Sequence, residues 1–227
     1  MSTADTIIKI YRDRVAKNKA LRRLTKNPKT FEAAEKYAAG LGEELAGAIG
    51  DITGMSQEDL TAILDAGLRV THGDVTAFCR QVQRYIYDQA GLGIGVLSPE
   101  YDRRAAVDLV DALAIGGEDG ASLLNRLTKE ALKVVDETIQ KNTEAADSMG
   151  LSVRIVRRYD HVGLRQGTRH AEDCQWCLAR EGSWTSAKKA KEAGAFERHP
   201  GCGCVIEYEV IKTRTWSNSK GTWQKME

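Results

Sequence analysis

Several things are scarce or missing in this sequence. No apolar run approaches the roughly 18 residues that a membrane helix requires, and Ile7, Ile8 and Ile10 sit among charges. The first residues lack an apolar stretch followed by a small-residue cleavage site. The expectation is therefore a chain that stays in the cytoplasm, or wherever the cytoplasm assembles it. Charge of one sign is not in excess either: 33 lysines and arginines face 32 acids, a formal net charge of +1. That balance excludes a bulk polyelectrolyte of the histone kind. Internal repeats and low-complexity tracts are absent. What is there is 227 residues with 42% hydrophobic content, enough to bury the core of one or two domains.

The charge is unevenly spread. Residues 1–30 hold nine basic and two acidic side chains, residues 31–150 hold ten and 21, and residues 151–227 hold 14 and nine. An acidic middle thus lies between two basic ends. Cysteines cluster too: Cys79 stands alone, whereas Cys174, Cys177, Cys202 and Cys204 fall close together, and Trp176, Trp184, Trp216 and Trp223 share the same last quarter. A cytosolic chain keeps its thiols reduced, so such a cluster points to metal before disulfide.

Residues 1–150 carry helical periodicity. Ile7, Ile10, Tyr11 and Val15 recur at helical spacing, and Asn27-Pro28 breaks that segment. Thr30 caps a helix predicted from Phe31 to about Ala46, and Ser56 with Asp59 opens one through Leu60, Ile63, Leu64 and Leu68. Residues 71–89 present Val75, Phe78, Val82, Tyr85 and Ile86 on one face, with Cys79 a small buried hydrophobe beside them. Ser98-Pro99 reads as a cap and first turn leading into Val107, Val110 and Leu113. The longest stretch runs from Ala121 to about Ala145. Gly91-Leu92-Gly93-Ile94-Gly95 completes neither phosphate-loop pattern and is taken as a turn between helices.

After Gly150 the pattern changes to alternation, over 153–158 and again over 205–211, which predicts two short strands. A short helix is expected over 186–193, and the tail from Thr213 onward is expected to be polar and loosely held. The fold class expected is mainly α: a helical docking or assembly domain over 1–150, a small zinc-stapled α+β domain over 151–211, and a polar tail over 212–227.

Between the two strands lies Cys174-Gln-Trp-Cys177 and, 21 residues later, His199-Pro-Gly-Cys202-Gly-Cys204. A C-x2-C knuckle lets one turn present two sulfurs to a tetrahedral ion, and the second half offers three more donors. Zinc is the metal this pattern suits. It needs four ligands and five are offered: Cys174, Cys177 and Cys204 are favoured, with either His199 or Cys202. Such a thiolate-rich set is closed and structural, whereas catalytic zinc keeps an open position. Residues 151–211 are too few to bury much core unaided, which gives a staple its purpose.

Two catalytic patterns compete with this reading. His170-Ala171-Glu172 beside the first cysteines contains the pieces of a zinc deaminase, but the two elements are too close in sequence to build that pocket, and Asp173 stands where a proline is wanted. A treble-clef nuclease would need a His–Asn pair near the metal, and the spacing of His161 and His170 does not supply it.

The stretch from Tyr159-Asp-His-Val-Gly through Arg169-His-Ala-Glu-Asp-Cys-Gln-Trp-Cys-Leu-Ala-Arg-Glu-Gly182 to His199-Pro-Gly-Cys-Gly-Cys-Val-Ile-Glu-Tyr208 resembles the C-terminal domain of tailed-phage minor head proteins, the Mu F-like head morphogenesis family. The resemblance covers about 50 residues. It places Cys174, Cys177, His199, Cys202 and Cys204 on the family's metal positions and Gly182 on its glycine after the knuckle. Gly203 departs from the pattern, since many relatives have arginine there, and this weakens any claim of DNA contact at that point. The resemblance implies a capsid protein on the inner surface or at the portal, present in a few copies per particle. Its expected partners are the portal and/or major capsid protein, with packaged DNA touched through basic residues, and no membrane. Its expected location is the virion interior, after assembly in the host cytoplasm.

The leading expectation is thus a non-enzymatic minor capsid protein with structural Zn2+, its N-terminal Lys9, Arg12, Arg14, Lys17, Lys19, Arg22 and Arg23 available to DNA or another subunit. A nucleic-acid-binding zinc module is the alternative, using Arg154, Arg157, Arg158, Arg165, Arg169, Lys188, Lys189 and Lys191 with Trp176 and Trp184 as stacking surfaces. A zinc-dependent nuclease or hydrolase would need Glu172 or Asp173 as general base.

Overall fold

The computed structural model of the chain describes residues 2–50, 56–116, 120–159, 174–211, 214–217 and 222–225. Helix α1 (Thr3–Lys17) opens at a capping box: Ser2 Oγ accepts from the Asp5 N–H at 3.2 Å, and the Asp5 carboxylate accepts from the Ser2 N–H at 2.9 Å. Ile7 and Tyr11 turn inward from it. The first break falls at Asn18, ahead of Asn27-Pro28, because this side chain caps α2 (Lys19–Leu24) through the N–H groups of Ala20 and Leu21. Asn18 and Arg14 both donate to Glu44 on α3 (Phe31–Gly50), at 2.8 and 2.9 Å, which fixes the corner. Thr30 caps α3 as expected, accepting from the Ala33 N–H at 3.2 Å.

Helix α4 (Gln57–Ala90) runs unbroken for 34 residues where the sequence outlines two apolar segments. Ser56 caps it, no proline interrupts it, and the buried face continues through Thr71, whose hydroxyl meets that of Tyr11 at 3.1 Å. Cys79 lies fully buried on that face. The helix expected after Ser98-Pro99 begins later, as α5 (Ala105–Gly116). The Asn142 side chain explains the delay: it bonds both the N–H and the C=O of Leu97, at 2.9 and 2.7 Å, and holds that stretch out of a helix. Asp102 closes a turn just ahead of α5, its carboxylate accepting from the Arg104 N–H at 2.9 Å.

Helix α6 (Gly120–Ser148) crosses α3 at Gly42, where an added Cβ would lie 2.7 Å from the Thr128 Cα. The two backbones touch there, and only glycine permits it.

The remaining elements are β1 (Ser152–Tyr159), α7 (Gln175–Leu178), β2 (Gly182–Trp184), α8 (Ala187–Glu192) and β3 (Cys204–Ile211). They form a three-stranded antiparallel sheet in the order β2-β1-β3, with Ile155 opposite both Trp184 and Tyr208. The short β2 has no signal of its own in the sequence. Strand β3 packs on α3 and α4, and α8 packs on α6. Val153, Ile155, Ile206 and Tyr208 share one apolar cluster with the helices, and Tyr208 meets Phe31 edge to face at 6.2 Å. The change of character after Gly150 is a packed corner: the Leu151 N–H donates to Ala146 O at 3.0 Å. In the tail, β4 (Arg214–Ser217) and β5 (Thr222–Lys225) pair as an antiparallel hairpin with Trp216 opposite Trp223, where the sequence suggested a loosely held segment. Among the described residues no helix is long and apolar enough to cross a membrane.

The Gly42 crossing is testable. Gly42→Val is expected to lower stability by about 1–3 kcal/mol through overpacking against Thr128, as a fall in the urea midpoint; an unchanged midpoint would contradict the close approach.

Candidate metal centre

The first two donors come from the knuckle around α7. The Leu178 N–H donates to Cys174 O at 3.0 Å and the Arg180 N–H to Cys177 O at 3.0 Å, so the single turn carries both thiols toward one side. The second group comes from the loop before β3. The Cys202 N–H closes on His199 O at 3.1 Å, a turn that needs Gly201 at φ 78°, a left-handed conformation that side chains disfavour. Cys204 is the first residue of β3.

All five residues singled out by their spacing converge. Cys174, Cys177 and His199 form one group, and Cys177, Cys202 and Cys204 another; within each, the donor atoms lie within 4.8 Å of one another. Cys177 belongs to both. Its sulfur is 3.7 Å from that of Cys202 and 3.0 Å from His199 Nε2, which also lies 3.2 Å from the Cys174 sulfur. A tetrahedral site with metal–sulfur bonds of about 2.3 Å separates its sulfurs by about 3.8 Å. The Cys177–Cys202 spacing meets that requirement. The imidazole is set for ligation as well: Nδ1 faces the Pro200 carbonyl at 2.8 Å, an acceptor only, so Nδ1 carries the hydrogen and Nε2 turns its lone pair to the thiols. All four of these cysteines are free thiols, so the group could hold a metal ion.

The sulfurs sit in unequal fields. A hydrogen bond from Cys204, with the positive charges of Arg198 and Arg157 behind it, pulls Cys202 down to about 4. Burial, and then the charge of Cys202, push Cys177 up to about 12. Cys204 is pushed up as well, chiefly by its hydrogen bond to Cys202. The arrangement favours the thiolate at Cys202 and the thiol at Cys177 and Cys204, and a metal bound here would displace protons.

Two buried arginines frame the cluster. Arg198, whose side chain is 2% exposed, forks onto Asp136 of α6 through Nη2 at 2.8 Å and Nε at 2.5 Å. It also donates to Glu35 of α3 at 2.6 Å and to Cys204 O at 2.7 Å. Glu35 in turn accepts from the Ile206 N–H at 2.8 Å. Burial raises both carboxyls, Glu35 to about 8; against the cost of its own burial, Asp136 and Glu35 hold the Arg198 guanidinium well above its ordinary value. Arg157 points inward from β1 and donates to three carbonyls and the Cys202 sulfur.

These contacts revise the nucleic-acid surface drawn from the sequence. Arg157 is 1% exposed and not available to phosphate. Alternation already carried that signal, because Val153, Ile155, Arg157 and Tyr159 must share the inward face. Arg154 and Arg158 do face outward, and each is paired across the sheet, with Glu209 and Glu207. Trp184 packs against the main core, and Trp176 packs beside the thiols with its ring 5.1 Å from that of His199, so both serve packing. Lys188, Lys189 and Lys191 are exposed. His161, Arg165, Arg169, His170, Glu172 and Asp173 lie outside the described residues. Glu35, Asp136 and Arg198 were not anticipated. The available signal was an acid on an apolar helix face, Glu35 one turn after Phe31 and Asp136 one turn after Leu132.

No protein-family model, curated protein or solved structure matches this chain.

Because Cys177 and Cys204 must shed protons, affinity for a divalent metal ion is expected to rise with pH, with proton release visible by calorimetry in buffers of different ionisation enthalpy. Binding without proton release would contradict the assignment. Arg198→Met strands two carboxylates in the core and is expected to cost about 3–5 kcal/mol of stability. Arg154→Met, at an exposed pair, is expected to cost no more than about 1 kcal/mol in the same urea titration.

Proposed function

We propose that this chain is a non-enzymatic minor capsid protein of a tailed phage, a head morphogenesis protein of the inner capsid or portal. A structural zinc ion would staple its C-terminal region. The phage reading rests on the resemblance of Tyr159–Tyr208 to the Mu F-like family. The structural reading is carried by one observation: four sulfurs and an imidazole gather in two groups that share the buried Cys177, beside two arginines. Zinc suits a tetrahedral set of sulfur and nitrogen donors, and thiolate-rich sets close around it without an open position for water. Four of Cys174, Cys177, His199, Cys202 and Cys204 would hold it, and the ion would contribute folding energy to a small sheet.

In this reading the helical region docks on the portal and/or the major capsid protein, in several copies per particle, inside a head assembled in the host cytoplasm. Lys9, Arg12, Lys17, Lys19, Arg22 and Arg23 are exposed on α1 and α2 and offer a surface to packaged DNA, whereas Arg14 is engaged with Glu44. The competing nucleic-acid module loses Arg157 to the interior and shares Arg154 and Arg158 with glutamates, which weakens it.

The purified protein is expected to carry about one zinc per chain, and chelation or Cys177→Ser to lower its melting temperature. Mass spectrometry of particles purified from a culture carrying the gene should find it in intact heads, a few copies each. Absence from intact heads would overturn the capsid reading. A metal-dependent hydrolytic activity that disappears in Glu172→Gln would instead establish an enzyme.

A further inference from the structure

We infer that Arg157 is the counter-ion of the metal centre, a buried guanidinium whose charge balances the net negative charge of a cation held by several cysteine sulfurs and so sets how tightly the site grips a divalent cation. The inference rests on reading the cysteine cluster as a metal site, and it adds a residue that donates no ligand atom.

Arg157 is among the largest fully buried side chains of the protein. Its Nη1 donates to the carbonyls of Ala195 at 2.8 Å, Glu197 at 2.6 Å and Gly194 at 3.3 Å. Its Nη2 reaches the Cys202 sulfur at 3.6 Å, within hydrogen-bond range for sulfur. The ring of Trp176 lies 5.5 Å from the guanidinium carbon. None of these hydrogen-bond partners is a carboxylate. The neighbouring arginines differ in that respect: Arg154 meets Glu209, Arg158 meets Glu207, Arg180 meets Glu197, and Arg198 takes both Asp136 and Glu35.

A guanidinium taken out of water with only neutral acceptors around it is strongly disfavoured. The carbonyl oxygens take hydrogens of Nη1 alone, the buried Nε finds no partner among the described residues, and neutral acceptors leave the charge uncompensated. Among the described residues the buried acids nearby, Asp136 and Glu35, are hydrogen-bonded to Arg198; Asp136 also feels the charge of Arg157, but the one group of anionic character that Arg157 itself touches is the Cys202 sulfur. A divalent ion bound by three or four thiolates carries a net negative charge, and Arg157 supplies the opposite sign against it. The same side chain ties down residues 194–197, which lead directly into His199. Charge and position are thus delivered by one residue, and the two can be separated experimentally.

Full-length protein serves for the test, with Zn2+ affinity read by competition against a chromogenic chelator and the thiolate-to-metal charge-transfer band read with Co2+ as probe. Arg157→Lys keeps the charge and loses the forked hydrogen bonds; Arg157→Gln keeps a donor and loses the charge. Arg154→Met, on the outer face of the same strand, is the control. Zn2+ affinity is expected to fall about 10–100-fold in Arg157→Gln, to stay within a few-fold of wild type in Arg157→Lys, and to be unchanged in the control. The Co2+ band is expected to move in Arg157→Gln and not in Arg157→Lys. Wild-type affinity in Arg157→Gln, or a lysine variant as weak as the glutamine one, overturns the counter-ion. If Arg157→Gln does not fold, the lysine variant alone decides, tight binding supporting the inference and weak binding overturning it. Failure of the metal reading is distinguishable, because wild-type protein would then bind neither ion.

Discussion

Arg198 is the point on which the two halves of this protein are joined. Its guanidinium is shut between α3, α6 and the first residue of β3, with Asp136, Glu35 and a backbone carbonyl taking its hydrogens. Glu35 extends the junction one bond further, to the Ile206 N–H in the middle of the third strand. Buried ion pairs of this kind are not large net stabilisers compared with apolar packing, but removing one partner leaves charge with nowhere to go. Their contribution is to define one arrangement. The loop that ends in His199, Cys202 and Cys204 is seated on the helices where Arg198 meets Asp136 and Glu35.

The fold follows from that junction and from two smaller constraints. Gly42 lets α3 and α6 meet backbone to backbone, which brings Glu35 and Asp136 onto one face of the helical layer. Phe31 and Tyr208 then close the apolar seam beside them. On the other side of the sheet loop, Arg157 binds the carbonyls of Gly194, Ala195 and Glu197, so the loop carrying the candidate ligands is held by one arginine from the strand below and by another within its own sequence. In the reading proposed here, a zinc ion completes a frame that these side chains already build, and the exposed basic helices remain free for assembly.

Much of this was legible in the sequence. Caps at Thr30 and Ser56, the helical runs through α3, α4 and α6, the alternation of β1 and β3 and the five-donor pattern are all local signals, and local signals survive folding. The start of α5 was not legible, because Asn142, 45 positions along the chain, takes the Leu97 backbone groups. The length of α2 turned on Asn18 serving as two caps at once. Arg157 was legible by alternation, yet its basic character suggested the surface; burial of a charge is decided by partners that only the tertiary structure brings close. Arg198, Glu35 and Asp136 belong to the same class, since their mutual contacts span up to 163 positions.

The central claim is that the cysteine loop and the helical layer are one cooperative unit. Unfolding by urea followed with two probes tests it most directly. In a Trp184→Phe, Trp216→Phe, Trp223→Phe background, fluorescence reports Trp176 beside the cysteines, while far-ultraviolet circular dichroism reports the helices. The account predicts coincident transitions, with the two curves superimposable and both shifted together to lower urea by a metal chelator. A fluorescence transition that precedes the loss of helix, leaving the helical signal intact, would contradict it.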